Sequence, residues 1–480
     1  MEFDVVIVGA GVVGAMLARN LSRYRISVCL LEKENDVAMG ASRANSGIIH
    51  GGYDPEPGTV KASLNRRGVE LLFQAAKELN VPCQRNGSMV CAFTPEEDDH
   101  LQALYRRGQE NGTPGLAILT GEEAREKEPY LSEAVTSALY VPNAGIISPY
   151  ELTVAAVGNA MDNGVTLHRN FEVQKICRED GRFTLTAASG ESVAGRYLVN
   201  CAGGHADRIA RLAGDGFFTL IPRAGEYLLL DKTEGFRARH TLFPCPTKNG
   251  KGILVSPTIH GNLLLGPTAA VVESPDSRET TREGLEEVLR LATKTVPSVD
   301  TRQVITSFAG VRASEEGGDF ILQASQKVPG LIHAGAIDSP GLTCCVAIAE
   351  QLTRLLTEAG LILSEKEKWD GSREDPCAFR MLSEEEKNDW IQRDPAYGKI
   401  VCRCECVSEG EILRAIRQNP GARDLDGVKR RTRSGMGRCQ GGFCGPYVMQ
   451  LLSRELKIPM EQVTKSGEGS YLLTERIGKK

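Results

Sequence analysis

Several features that mark special classes of protein are missing from this chain of 480 residues. No stretch reaches the ~18 uncharged apolar residues of a membrane-spanning helix, so no such helix is expected. The N terminus shows no basic segment followed by an apolar run and a cleavage site, and a secretion signal is therefore not predicted. The net charge of −5 gives none of the overall basic character that is typical of proteins that bind nucleic acid.

What the chain does contain is the composition of an ordinary globular protein. With 41% hydrophobic and 25% charged residues, wholesale disorder, a collagen-like repeat and a bundle of membrane helices are excluded. The length predicts two to four domains. The expected location is the cytoplasm, with peripheral contact at the inner face of the membrane left open. The 14 cysteines are too dispersed for a secreted disulfide scaffold, so they indicate a reducing compartment in which some thiols have a metal or redox role.

The N-terminal residues carry the pattern of a strand, a glycine turn and a helix. Residues 3–8 are a short apolar run, rich in valine, that is typical of a buried parallel strand. Gly9, Gly11 and Gly14 follow with the spacing G-x-G-x-x-G, and a helix-like stretch continues to about residue 24. Gly9 permits the tight turn, Gly11 lets a pyrophosphate approach the backbone, and Gly14 lets the helix pack on the strand.

A second predicted strand, residues 27–31, ends at Glu32. The Glu32 carboxylate can accept the hydroxyl groups of a ribose, whereas it would repel the 2′-phosphate of NADP. The unpaired N–H groups at the start of the helix suit phosphates. Together these features predict a dinucleotide site, the alternative being a glycine-rich turn without a ligand.

Three later segments have the small residues that let backbone approach a ligand: residues 40–52, 197–204 and 330–343. With the first turn, they resemble flavoproteins of the D-amino-acid-oxidase/glycerol-3-phosphate-dehydrogenase superfamily over about residues 1–360. The resemblance implies that FAD is the cofactor. Beyond the first turn and Glu32, it assigns the contacts of FAD to Ser42, Asn45, Ser46, Val173, Ala202, Gly203, Gly335, Gly341, Leu342 and Thr343. No second G-x-G-x-x-G follows a strand, so electrons need an exit other than NAD on this chain.

The C-terminal part has two closely spaced pairs of cysteines in the order C-x-C and C-x4-C: Cys402, Cys404, Cys439 and Cys444. Four thiolates on two turns are the ligand set of an iron–sulfur or zinc site. Zn²⁺ and an empty or disulfide-paired site remain alternatives. The pattern resembles the bacterioferritin-associated-ferredoxin-like domain over about residues 398–455, which implies a [2Fe–2S] cluster. Cys406 is extra to that pattern. The basic run before the second pair predicts either stabilisation of the cluster or a solvated face or partner patch.

These segments define a predicted architecture. The fold class is α/β: a Rossmann-type FAD-binding domain with an interleaved mixed β-sheet substrate domain, and a small, mainly helical iron–sulfur domain. The FAD-binding segments cover about residues 1–80, 145–215 and 325–360, and the substrate sheet mostly 81–144 and 216–324. Residues 361–397 are predicted as a linker, 398–455 as the cluster domain and 456–480 as a tail.

The substrate sheet is predicted from alternating runs at residues 219–230, 253–257, 262–265, 304–308 and 320–322. A dehydrogenase needs a base and an anion clamp near the flavin. His50 is the candidate base, because imidazole ordinarily titrates close to neutral pH and the related dehydrogenases carry a histidine in this loop. Arg312 matches the Gly-x-Arg segment that faces substrate in the family. Arg223, Lys251 and Lys61 are weaker candidates for binding an anionic substrate.

A flavin dehydrogenase followed by this cluster domain resembles the large subunit of anaerobic glycerol-3-phosphate dehydrogenases. The implied reaction oxidises sn-glycerol 3-phosphate to dihydroxyacetone phosphate and passes electrons through the Fe–S centre to a partner redox subunit or a quinone. One departure is Asp54, which stands where many of these enzymes place a phosphate-binding arginine. The alternatives are an L-2-hydroxyglutarate (L-2-hydroxy-acid) dehydrogenase, a flavin amine or imino-acid dehydrogenase and, outside enzymes, an Fe–S redox carrier or sensor.

Overall fold

The computed structural model describes residues 2–246, 252–373 and 379–474. The strands of the described residues are β1 (Glu2–Val8), β2 (Val28–Leu31), β3 (Ile48–Ile49), β4 (Cys83–Gln84), β5 (Ser88–Ala92), β6 (Ala117–Thr120), β7 (Ser137–Val141), β8 (Gly145–Ile147), β9 (Thr166–His168), β10 (Val173–Glu179), β11 (Arg182–Ala187), β12 (Ser192–Asn200), β13 (Ile221–Leu230), β14 (Thr241–Pro244), β15 (Leu254–Pro257), β16 (Leu263–Gly266), β17 (Ala270–Val271), β18 (Val304–Ser314), β19 (Ile321–Ala324), β20 (Leu331–Gly335), β21 (Ile400–Cys402) and β22 (Val407–Ser408). The α-helices are α1 (Val12–Leu21), α2 (Val60–Glu78), α3 (Pro95–Glu110), α4 (Gly121–Lys127), α5 (Pro149–Asp162), α6 (Ala206–Leu212), α7 (Arg282–Thr295), α8 (Gly341–Glu358), α9 (Glu384–Arg393), α10 (Glu409–Arg417), α11 (Leu425–Thr432) and α12 (Gly445–Leu456).

The first sheet carries the N-terminal glycine turn. Its strands run in the order β10-β11-β12-β1-β2-β9, and β20 joins it by pairing with β12 and β19. β1 is parallel to both β2 and β12. Apolar residues of β1 and β2 are buried together with α1, α5 and α8, as expected for strands covered on both faces. The two predicted strands are therefore confirmed, although the following helix α1 ends at Leu21 rather than near residue 24.

The second sheet is the predicted substrate sheet. Its strands run in the order β17-β13-β16-β15-β14-β5-β7-β6, with β18 pairing along β13. One predicted member is wrong: β19, which contains most of residues 320–322, pairs with β20 in the first sheet. An alternating apolar pattern predicts a strand, but it does not tell which of two neighbouring sheets the strand joins.

The C-terminal part has its own core. Apolar residues of α10, α11 and α12 pack around Cys402 and Cys444. Residues 361–397 differ from a plain linker. Trp369 donates to the Ser22 hydroxyl of the FAD-binding part, whereas the Phe379 N–H donates to Glu411 and α9 packs Trp390 on Tyr397 within the C-terminal part. No helix of the described residues combines the length and hydropathy needed to cross a membrane.

Buried ion pairs join the C-terminal domain to the first sheet. Asp36 follows β2, and its carboxylate lies 2.5 Å from Arg430 and 2.7 Å from Arg431, two residues of α11. All three side chains are at most 6% exposed. Burial raises the pKa of Asp36, but the two guanidinium groups outweigh burial and hold the pKa well below its usual range. Two residues of the basic run, Arg430 and Arg431, thus contact the chain's own FAD-binding domain.

We expect Asp36→Asn to lower the free energy of unfolding by about 3–5 kcal/mol, because it removes the carboxylate that lies closest to two buried guanidinium groups and leaves only Asp424, 4.0 Å from Arg430, as a counter-charge. Urea denaturation followed by circular dichroism measures the loss, and hydrogen exchange should locate it in α11. The stabilising contribution of the wild-type pair is lost as pH falls through the lowered pKa of Asp36.

The matched control is Glu367→Gln, which breaks the exposed ion pair with Arg25, whose two side chains are 54% and 86% exposed. Its cost should stay below about 1 kcal/mol. Equal costs for the two variants would contradict a structural role of the buried pair.

Candidate active site and thiolate centre

A cavity of about 760 Å³ lies between the two large sheets. Most of the predicted site residues line it: Gly9, Gly11, Glu32, Ser42, Asn45, Ser46, His50, Lys61, Val173, Ala202, Gly203, Arg223, Arg312, Gly341 and Leu342. Gly14, Gly335 and Thr343 lie behind the cavity wall. Lys251 falls outside the described residues. Segments that are far apart in sequence therefore converge on one cavity.

The glycine turn leaves no room for side chains. Gly9 has a φ of +106°, and a Cβ there would clash with the carbonyl oxygen of Cys201. A Cβ on Gly14 would meet the Gly9 carbonyl, so this glycine lets α1 start directly against the turn. At Gly11 the nearest atom to an added Cβ is the Ser42 hydroxyl, at 3.2 Å. This cradle, at the positive end of α1, fits the pyrophosphate of FAD.

Glu32 ends the second strand with its carboxylate at the cavity. Its two oxygens accept the N–H groups of Ala10, at 2.9 Å, and Glu34, at 3.0 Å. These bonds fix the carboxylate while leaving it lone pairs for ribose hydroxyls. A buried acceptor held in this way fits the ribose of FAD.

The loop after Glu32 is shaped by its own side chains. The Ser42 hydroxyl accepts the N–H of Val12 at 2.9 Å, which attaches the loop to the start of α1. Asn45 accepts the Gly47 N–H at 2.8 Å and donates to the Ala41 carbonyl at 2.9 Å. The Asn45 side chain therefore stabilises the conformation of the loop. Residues 40–47 of this loop line the cavity.

The start of α8 fixes the position of His50. Thr343 Oγ1 accepts the His50 N–H at 2.9 Å, and the Asn65 amide donates to the His50 carbonyl at 2.8 Å. The His50 Nε2 lies 3.3 Å from Ser339 Oγ. With its backbone held from two helices, His50 presents its imidazole to the cavity in a defined orientation, as a base requires.

Arg223 and Arg312 stand directly opposite each other on the antiparallel strands β13 and β18. Directly opposite residues share one face of a sheet, and both of these line the cavity. Arg312 lies 3.5 Å from the Thr268 carbonyl, and neither arginine forms an ion pair with a carboxylate of the described residues. Since like charges in this position repel each other, an anion between them would be favoured, and the pair suits an anionic ligand.

Lys61, in contrast, already has a counter-charge. Its Nζ lies 2.6 Å from Asp338 Oδ1, and the two side chains are only 13% and 19% exposed. Four residues at or behind the cavity wall were not predicted as site residues: Asp338, Ser339, Asn65 and Tyr227, whose hydroxyl lies 3.3 Å from Ser46 Oγ. Asp338 and Ser339 could have been found, because they directly precede the Pro340–Gly341 turn that starts α8. Asn65 and Tyr227 carry no such local signal.

The four predicted thiolate ligands come together as two pairs. Cys404 Sγ lies 3.7 Å from Cys439 Sγ. Cys402 and Cys444 are both buried in the core of the C-terminal part, and a hydrogen bond with Cys444 lowers the pKa of the Cys402 thiol. Two pairs fit the two iron atoms of a [2Fe–2S] cluster. Cys406 is directed elsewhere, towards the Arg403 carbonyl.

Further ion pairs connect the thiolate loops with the substrate sheet. Glu405, between two of the cysteines, is 2% exposed and lies 2.9 Å from both Lys232 and Arg433. Arg438, next to Cys439, pairs with Asp231 at 3.3 Å. The cluster loops are therefore fixed against the ends of β13 and its neighbours.

Comparison with known proteins agrees with this geometry. The model of the DAO family, FAD dependent oxidoreductase, matches residues 4–355, and that of the BFD-like [2Fe-2S] binding domain matches residues 400–454. The chain is 44% identical to a glycerol 3-phosphate dehydrogenase of Caloramator mitchellensis, over 98% of each chain. It is 32% identical to the human mitochondrial L-2-hydroxyglutarate dehydrogenase, over 56% of this chain and 61% of that protein.

Among solved structures, the chain resembles the FAD-bound L-alpha-glycerophosphate oxidase of Mycoplasma pneumoniae. The TM-score is 0.75 at 31% identity, and the match covers 78% of this chain and all of the other. The cofactors are thus FAD and a [2Fe–2S] cluster. The chain belongs to the DAO family of FAD dependent oxidoreductases and carries a BFD-like [2Fe-2S] binding domain at its C-terminal side.

Proposed function

We propose that this enzyme oxidises sn-glycerol 3-phosphate to dihydroxyacetone phosphate. The observation that carries the proposal is the opposed pair Arg223 and Arg312, which faces the same cavity as His50. Two guanidinium groups that form no ion pair with a carboxylate of the described residues suit the dianionic phosphate. The planar guanidinium group can donate two parallel hydrogen bonds to phosphate oxygens. Asp54 lines the cavity at the position where many related enzymes have a phosphate-binding arginine, and a carboxylate cannot bind phosphate there. Arg223 and Arg312 supply the phosphate clamp instead.

The proposed chemistry removes a hydride from carbon 2 of the substrate and a proton from its hydroxyl group. His50 accepts the hydroxyl proton, while the arginines hold the phosphate so that carbon 2 stays in one orientation. FAD, when bound, supplies the hydride acceptor, and the N–H groups at the start of α8 favour its reduced, anionic form. The substrate thus loses two hydrogen atoms in total. One leaves as a hydride, which carries both electrons, and the other leaves as a proton, which His50 takes up.

The similarity to glycerol 3-phosphate enzymes supports this substrate, because one relative matches along nearly its whole length. The [2Fe–2S] domain gives the electrons a one-electron exit, and we infer that a partner redox subunit or a quinone receives them. The cytoplasmic location and the identity of this acceptor stay predictions.

Anaerobic mixing with a panel of substrates tests the proposal. Glycerol 3-phosphate should bleach the flavin absorbance, whereas L-2-hydroxyglutarate, L-lactate and L-proline should not at equal concentration. Glycerol, which lacks the phosphate, is the matched control and should leave the flavin oxidised because the arginine pair has nothing to bind. Faster bleaching by L-2-hydroxyglutarate would assign the enzyme to the hydroxy-acid dehydrogenases instead.

His50→Asn should slow flavin reduction by glycerol 3-phosphate about 10²- to 10⁴-fold, the usual effect of removing a general base. The wild-type rate should fall at low pH as the imidazole becomes protonated, and the variant should lose this dependence. Stopped-flow absorbance measures both. His260→Asn, which alters a histidine paired with Glu151 outside the cavity, is the control and should keep the wild-type rate. A pH profile unchanged in His50→Asn would rule out the base.

The Glu32 carboxylate makes FAD binding depend on pH. Burial raises the pKa of Glu32 to about 7 in the protein without FAD. Ribose hydroxyls donate to the ionised carboxylate, so bound FAD favours the deprotonated form. FAD affinity should therefore fall by about tenfold between pH 8 and pH 6, as the group takes up its proton. Quenching of flavin fluorescence on titration into the FAD-free protein measures this.

Glu32→Gln is the matched variant for this measurement, since it keeps the side-chain shape and does not titrate. Its FAD affinity should be weaker at pH 8 and nearly constant between pH 6 and pH 8. A wild-type affinity that does not change over this range would contradict the role of the carboxylate.

A further inference from the structure

Asp338 occupies a central position in the wall of the cavity. It lies in the loop between β20 and α8, directly before Ser339, whose hydroxyl is 3.3 Å from His50 Nε2. Its Oδ1 lies 2.6 Å from Lys61 Nζ, and its Oδ2 accepts the Ser314 hydroxyl at 3.1 Å. Ser314 stands two residues after Arg312 on β18, and alternate residues of a strand share one face. Asp338 therefore lies between the candidate base and the arginine face.

The carboxylate of Asp338 still has capacity for a ligand. An ionised carboxylate offers about four lone-pair sites, and Lys61 and Ser314 account for two contacts. Lys61, in turn, is neutralised by Asp338 and lies over the Phe320 ring at 5.2 Å. The wall beside His50 thus presents a negatively charged acceptor, and Lys61, the cation that it pairs with among the described residues, is neutralised by it.

The candidate substrates differ in the group that follows the reacting carbon. Glycerol 3-phosphate carries a neutral hydroxymethyl group there, which can donate a hydrogen bond. L-2-hydroxy acids carry a carboxylate, which has no proton to donate and is repelled by another carboxylate. Like-charge contacts of this kind discriminate strongly between ligands.

We propose that Asp338 is a specificity-determining residue that accepts the terminal hydroxyl of the substrate and rejects a carboxylate at that position. The inference rests on the proposed function and explains how the cavity separates glycerol 3-phosphate from L-2-hydroxy acids. Lys61 acts in the opposite direction, because its charge would attract a carboxylate if Asp338 did not neutralise it.

Two unreactive ligands of the oxidised enzyme test the proposal by binding. Dihydroxyacetone phosphate has the hydroxymethyl group, and the matching keto acid, 3-phosphohydroxypyruvate, has a carboxylate in its place; neither carries a hydrogen on carbon 2 that could leave as hydride. Each dissociation constant is measured on the holoenzyme from the perturbation of flavin absorbance. The wild type should bind 3-phosphohydroxypyruvate at least about tenfold more weakly than dihydroxyacetone phosphate, which corresponds to ~1.4 kcal/mol.

Asp338→Asn should reduce this discrimination ratio by about tenfold or more, since it removes the repelling charge and leaves Lys61 unpaired. Lys61→Gln should raise the ratio, because the carboxylate then stands alone. Asp338→Glu keeps the charge and should keep the sign of the discrimination. Glu316→Gln changes the net charge equally at an exposed position beyond β18 and should leave the ratio unchanged.

Several results would overturn the proposal. One is an unchanged ratio in Asp338→Asn; another is a parallel loss of both affinities, which would mean a purely structural role. A ratio that moves in the same direction in Asp338→Asn and Lys61→Gln would also overturn it. These failures leave the proposed function intact as long as glycerol 3-phosphate reduces the wild-type flavin; if it does not, both fail.

Discussion

A charge removed from water must meet an opposite charge, and this constraint decides how the parts of the protein fit together. Asp36 is buried only because Arg430 and Arg431 neutralise it, and Glu405 only because Arg433 and Lys232 do. Each of these sets joins the C-terminal domain to the FAD-binding part or the substrate sheet. A domain held by several buried, specific ion pairs has one position, since any other leaves charges uncompensated.

The cavity is an exception to this constraint, because two of the cations that line it have no carboxylate partner among the described residues. At the cavity wall, Arg223 and Arg312 stand opposite each other on neighbouring strands, and neither forms an ion pair with a carboxylate of the described residues. Lys61, which also lines the cavity, forms an ion pair with the Asp338 carboxylate. These three cations of one cavity therefore differ: Arg223 and Arg312 pair with no carboxylate of the described residues, and Lys61 is neutralised. This asymmetry is what a substrate with a dianionic end and a neutral end requires.

How far the sequence predicts this molecule depends on the distance over which each feature is encoded. The turn at Gly9–Gly14 with Glu32, and the four cysteines, are predictable because spacing and chemistry lie within short segments. The pairing of Asp36 with Arg430 joins residues 394 positions apart, and the opposition of Arg223 and Arg312 depends on strand register. Neither can be deduced from local pattern, and the sheet joined by β19 was mispredicted for the same reason.

The fixed position of the C-terminal domain also bears on how electrons leave the chain. The sequence has a single G-x-G-x-x-G turn after a strand, and it carries the four cysteines of the C-terminal domain. A line of contacts runs from the cavity to the thiolate loops. The Gly47 carbonyl accepts the Ile147 N–H at 2.8 Å, the chain continues to Tyr150 at the start of α5, and the Tyr150 hydroxyl lies 3.6 Å from Met436 Sδ. Met436 is three residues before Cys439, so these contacts connect the cavity wall with the thiolate loops. The buried ion pairs that hold the C-terminal domain in place therefore also set the distance between the cavity and the thiolate loops.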